Sequence, residues 1–90
     1  MAKKTATAAE KRHMERVASL GCAICGTPAQ VHHIREGQGI GQRASHFLTI
    51  PLCQFHHTGG LGIHSDPRKF RNLYGSELYL LAQTIKKLEI

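Results

Sequence analysis

The apolar residues of this chain fall in short stretches whose period changes several times. Met14, Val17 and Ala18 recur at helical spacing behind Thr7 and Glu10, the two polar members of a capping box. A helix is therefore predicted from Thr7 to a stop at Gly21. Residues 1–6 have no such pattern and are expected to be disordered. The segment Cys22-Ala23-Ile24-Cys25-Gly26 reads as a tight turn closed by Pro28. Val31 to Ile34 and Phe47 to Leu52 are the two strand candidates, separated by a glycine-rich loop at 36–43. Gln54 to Thr58 is long enough for one helical turn, and Gly59, Gly60 and Gly62 rule out more. Ser65 or Asp66 caps a short helix with Pro67 at its first position, ending before Gly75. Ser76 caps a last helix whose apolar stripe is read as Leu78, Leu81, Ile85 and Leu88, with Lys86 and Lys87 suiting its C-terminal end.

These elements make an α+β chain with no internal repeat. Its 90 residues suffice for one small domain, read as a basic N-terminal arm and helix over 1–19 and a domain over 20–90. A domain of this size often needs a staple such as a metal or disulfides. No apolar run approaches the length of a membrane span, and the N-terminus lacks the apolar core of a secretory signal. A cytoplasmic location, where thiols stay reduced, is the expectation.

Composition adds two facts. The formal charge is +6, from 12 Lys and Arg against 6 Asp and Glu, which suits a polyanion such as nucleic acid. Lys3, Lys4, Lys11, Arg12 and Arg16 concentrate near the start, as either a phosphate-tracking arm or a solvated terminus. The second fact is seven histidines beside three cysteines, an odd number that cannot all pair within the chain.

Cys22-x-x-Cys25 and Cys53-x-x-His56 are two ligand pairs, each with the spacing that lets both side chains reach one ion. Four Cys and His ligands close a tetrahedral zinc shell, which does no chemistry but supplies folding free energy. A redox Cys-x-x-Cys would want a βαβ context, which is absent. His57 stands beside His56 and is the alternative fourth ligand. His13 reads as an exposed surface residue.

Five histidines remain in a 33-residue window: His32, His33, His46, His57 and His64. His32 and His33 are neighbours on a predicted strand, where adjacent side chains point to opposite faces. One can bind a metal while the other approaches from a different direction as a base. His57 and His64 are close enough in the chain to share an ion.

The string Val31-His32-His33-Ile34, the glycine-rich loop, Pro51-Leu52-Cys53-Gln54-Phe55-His56-His57 and the upstream Cys22-x-x-Cys25 together resemble HNH endonucleases. The similarity extends to Asp66-Pro67-Arg68-Lys69-Phe70 and Tyr74-Gly75-Ser76-Glu77-Leu78. It is nearest to small phage-type members related to the recombination enhancement nuclease Ref.

The resemblance implies a ββα-metal, treble-clef-like fold with a structural zinc knuckle and flanking N- and C-terminal helices. It implies His32, His57 and His64 as ligands of a catalytic divalent ion (Mg2+, Mn2+, Zn2+ or Ni2+). It makes His33 the general base and His46 the candidate that orients it. It also implies phage or prophage origin, and a recombination protein or filament as a possible partner. Two departures stand out. His46 lies seven residues before Cys53, earlier than the Asn of many members, and the interval from His57 to His64 exceeds the usual three-residue gap.

The expected reaction is hydrolysis of DNA to 5′-phosphate products, with Arg35, Arg43, Arg68 and Lys69 as candidate DNA contacts. A zinc-knuckle DNA-binding module without catalysis explains the knuckle and the charge but leaves the other histidines idle. A metal-storage or metal-sensing protein explains the histidines but not the basic balance.

Overall fold

The computed structural model describes residues 5–39, 41–42 and 44–89. Part of the expected disordered start, residues 1–4, lies outside them, as does Arg43. The described chain runs α1 (Ala8–Ser19), β1 (Gln30–His33), β2 (Thr49–Leu52), α2 (Gln54–His57), α3 (Pro67–Tyr74) and α4 (Glu77–Leu88). It is an α+β arrangement around one two-stranded antiparallel ribbon. No helix among the described residues is long and apolar enough to cross a membrane.

Local chemistry accounts for the helix starts. Thr7 and Glu10 form the reciprocal capping box, with Thr7 N–H donating to Glu10 Oε1 at 2.7 Å and Glu10 N–H to Thr7 Oγ1 at 3.1 Å. Asp66, rather than Ser65, caps α3 by accepting from Lys69 N–H, with Pro67 as the first helical residue. Ser65 instead donates to the carbonyls of Thr58 and Gly59. Ser76 caps α4 through Tyr79 N–H.

The ribbon pairs Gln30 with Leu52, Val31 with Pro51, His32 with Ile50 and His33 with Thr49. Both strands differ slightly from their predicted spans. β1 begins one residue earlier, and Ile34 donates to Leu48 O just past its end. β2 begins at Thr49, because Leu48 N–H closes a turn onto Ser45 O and takes Phe47 and Leu48 out of the strand. All four β2 residues are buried, which fits a strand covered on both faces.

α1 packs against both strands and α4, with Val17 fully buried. Arg16 donates to Leu88 O at 2.9 Å, tying the ends of these two helices together. His13 is half-buried, its ring edge-on to Phe47 with centroids 5.2 Å apart.

The face of α4 differs from the predicted stripe. Leu80, Leu81 and Thr84 are buried, whereas Leu78 and Ile85 are exposed. Leu81 and the half-buried Leu88 keep their expected places, but the helix is rotated so that Glu77 also faces inward. A polar contact accompanies this rotation: the Glu77 carboxylate reaches His32 and two backbone N–H groups after β1, charge-assisted bonds that are among the stronger ones.

Candidate metal centres

Cys22, Cys25, Cys53 and His56 come together where the turn after α1 meets the start of α2. Ala23 N–H donates to Pro51 O at 2.9 Å, pinning this turn to β2. Cys53 follows directly on β2, and one turn of α2 carries His56 back over it. Cys25 Sγ lies 3.7 Å from Cys53 Sγ and 3.7 Å from His56 Nδ1, while Cys22 Sγ lies 3.7 Å and Cys53 Sγ 3.2 Å from the same nitrogen.

A tetrahedral shell with zinc–sulfur bonds of about 2.3 Å has edges of about 3.7 Å, whereas a disulfide brings its sulfurs to about 2.0 Å. The four atoms therefore suit an ion such as zinc and not a disulfide. The fourth donor of this group is His56, while His57 belongs to the second group. Ile24 N–H donates to Cys22 Sγ, and Thr27 Oγ1 lies 3.1 Å from Cys25 Sγ. Burial raises the Cys22 thiol, while at Cys53 burial is outweighed by hydrogen bonds from His56, which bring it to about 6.

His32, His57 and His64 form a second group, each offering a nitrogen within 4.8 Å of the others. Strand alternation buries His32, on a strand that packs against α2, where it reaches Glu77 at the start of α4. The long interval between His57 and His64 is spanned by a loop that folds back on α2. His64 N–H donates to His57 O at 3.1 Å and Ile63 N–H to His56 O at 2.9 Å. Gly62 permits this close return, since a Cβ there would sit 2.7 Å from the His57 carbonyl carbon and oxygen. The side-chain nitrogens of His57 and His64, both Nε2, are 3.0 Å apart.

The protonation pattern of this group favours a cation. His57 Nδ1 lies 2.9 Å from Gln30 Oε1, a contact that biases the proton toward Nδ1 and the lone pair toward Nε2. Burial, then the neighbouring His32 and His64 rings, pushes His57 down to about 4, and burial with His32 also lowers His64. His32 Nε2 is engaged by Glu77 at 2.6 Å, while His32 Nδ1 is buried with no hydrogen-bond partner. A buried polar atom without a partner is rare, and an ion is one of its ordinary explanations. The three imidazoles therefore fit a metal ion, with nitrogen donors that suit Zn2+ or Ni2+ better than oxygen-seeking Mg2+.

His33, on the other face of β1, has Nε2 2.8 Å from Nδ1 of His46, in the turn before β2. His33 and the three clustered histidines line one cleft of about 330 Å³, with Arg35 at its rim. A larger cleft of about 530 Å³ adjoins it through His32, Arg35 and His64 and also takes in Arg71 and Glu77. Arg35 is exposed, its guanidinium donating to Gln42 O at 3.0 Å. Arg68 and Lys69 are exposed on the first turn of α3 and line neither cleft.

Gln30 and Glu77 were not among the expected site residues. Gln30 sits two residues before His32 on the same strand, a period-2 signal that could have found it. Glu77 looks like an acidic residue complementing a helix N-terminus, and no spacing links it to His32, 45 residues away.

The sequence profile of a family described as "Protein of unknown function (DUF968)" matches residues 1–89. The uncharacterized protein YdfU of Escherichia coli (strain K12) is 36% identical over 81 residues, or 87% of this chain. The chain spans 22% of the length of that relative. Matched from residue 1 to residue 89, the chain belongs to the DUF968 family of proteins of unknown function.

Proposed function

We propose that this chain is a metal-dependent endonuclease of the HNH, ββα-metal type that hydrolyses phosphodiester bonds in DNA. One observation carries the reading. A histidine held by a second histidine lines the same cleft as a trio of imidazoles suited to a metal ion, and the two sets sit on opposite faces of one strand.

In the proposed reaction His33 takes a proton from water, and the water oxygen attacks phosphorus in line. The bond from phosphorus to O3′ breaks as the new one forms. O3′ leaves and is protonated, giving a 3′-hydroxyl and a 5′-phosphate. His46 fixes the plane of the His33 ring through its Nε2. Arg35, at the rim, is the proposed contact to the phosphate backbone, and the +6 charge favours approach of a polyanion. An ion held by His32, His57 and His64 would supply positive charge where negative charge develops on the phosphate. The Cys22, Cys25, Cys53 and His56 cluster is proposed as a closed structural zinc site outside the reaction.

The test is nicking of supercoiled plasmid by the purified protein with Mg2+, Mn2+, Ni2+ or Zn2+, each with and without EDTA. Nicking that requires the ion and is lost in His33→Ala is expected. DNA binding without nicking under every ion would overturn the reading in favour of a zinc-knuckle DNA-binding module.

A further inference from the structure

Glu77 is a charged group with only 12% of its side chain exposed, and it has no part in the proposed hydrolysis. Three hydrogen-bond partners reach its two oxygens. Oε1 accepts from Arg35 N–H at 2.8 Å and Glu36 N–H at 2.7 Å, and Oε2 faces His32 Nε2 at 2.6 Å. Two backbone N–H donors on one oxygen and a ring nitrogen at 2.6 Å on the other leave this carboxylate acting as an acceptor at both oxygens.

An acceptor-only group dictates where the histidine proton must be. His32 Nε2 has to carry a hydrogen; in the neutral ring Nδ1 is then a bare lone pair, and Nδ1 is the buried atom with no partner. His57 is held the other way round, with Nδ1 against Gln30 and Nε2 inward. The Gln30 amide can rotate to present either its oxygen or its NH2, so it only biases the ring. A carboxylate offers no such choice.

We infer that Glu77 is the positioning residue that makes His32 a metal ligand, by fixing its proton on Nε2 and presenting Nδ1 to an ion shared with His57 and His64. The inference rests on the reading of these three histidines as one metal site. Because Glu77 also grips the backbone after β1 from the first residue of α4, it couples the rotation of that helix to the ligand set. A carboxylate on the outer nitrogen further raises the basicity of the inner one.

Glu77→Gln separates this role from simple tethering. The amide has one acceptor oxygen. If that oxygen serves the two backbone N–H groups, the NH2 faces His32 Nε2, which must then accept, and the proton moves to Nδ1 where it blocks the ligand atom.

The experiment uses the full chain with its structural zinc in place. Nitrogen-15 NMR of the histidine rings reads the His32 tautomer before a second metal is added, and Ni2+ titration by calorimetry then reads affinity at the histidine site. The wild type should show the Nε2–H form of His32. Glu77→Gln should show the Nδ1–H form and bind Ni2+ about 10- to 100-fold more weakly, with zinc content unchanged. The wild-type tautomer needs no variant, so a Glu77→Gln protein that failed to fold would leave that measurement decisive. An Nδ1–H form in the wild type, or equal Ni2+ affinity in the two proteins, overturns the role of Glu77 while leaving the metal site standing. A zinc-loaded wild type that takes up no Ni2+, Mn2+ or further Zn2+ overturns the metal-site reading and this inference together.

Discussion

His33 Nε2 lies 2.8 Å from His46 Nδ1, so the second histidine of the adjacent pair is held from outside the strand that carries it. His33→Ala is expected to cut the nicking rate about a hundredfold or more, the usual scale for a positioned base, with DNA and metal affinities retained. His46→Asn, which can still hold the ring, should stay closer to wild type than His46→Leu. His32→Ala should behave differently, regaining part of its activity as metal is added. Metal titrations of nicking rate for these variants check the assignment; rescue of His33→Ala but not His32→Ala would reverse it.

Removal of zinc is expected to unfold the chain. Binding at a structural zinc site contributes about 10–16 kcal/mol at neutral pH, and domains of this size are stable by only about 5–13 kcal/mol. Circular dichroism during chelation should show loss of helix, and Cys53→Ser should melt far below wild type. A chelated wild type with its full melting temperature would show the Cys and His cluster to be dispensable.

The two sides of α4 should respond oppositely to charge. Leu80→Asp places an unpaired carboxylate in the core and should cost about 3 kcal/mol or more. Leu78→Asp changes a side chain 49% exposed and should stay within about 0.5 kcal/mol of wild type. Urea melts of the two variants measure this, and equal losses would mean the helix is rotated toward the predicted stripe.

Gly62→Ala should weaken the histidine metal site without emptying the zinc site. The added Cβ meets the His57 carbonyl at 2.7 Å, so the loop must lift and carry His64 away from His57. Metal content by mass spectrometry under native conditions should keep the zinc and lose the second ion.

Arg35→Gln should weaken DNA binding and lower the slope of log affinity against log salt by about one. Arg68→Gln and Lys69→Gln, which lie outside both clefts, should leave the nicking rate closer to wild type. Binding isotherms at several salt concentrations distinguish these positions.

Much of this was legible in the sequence because it depends on neighbours in the chain. The caps at Thr7 and Ser76, the Cys-x-x-Cys turn and the opposed faces of His32 and His33 all follow from spacing alone, while at α3 spacing left Ser65 and Asp66 both open. What was not legible depends on tertiary choices. The apolar spacing on α4 pointed to Leu78 and Ile85, whereas the buried side carries Leu80, Leu81 and Thr84 and brings Glu77 to His32, a contact that apolar periodicity does not encode. The glycines after His57 were readable as helix breakers, but their closer function, letting a loop lie against α2, appears only when the backbones meet. His46 could be named from family pattern, yet its contact with His33 joins positions 13 apart in a part of the sequence that carries no periodic signal.

The ribbon that holds the adjacent histidines is only four residue pairs long. In such a short pairing, identity is positional: slide β1 by one residue and His33 would take the inward place of His32, so the proposed ligand and the proposed base would exchange places without any change of sequence. The turn that carries Cys22 and Cys25 leads into β1, and Ala23 of that turn donates to the Pro51 carbonyl of β2. A cysteine and histidine cluster outside the proposed reaction would thus be the gauge by which one histidine is told from the next.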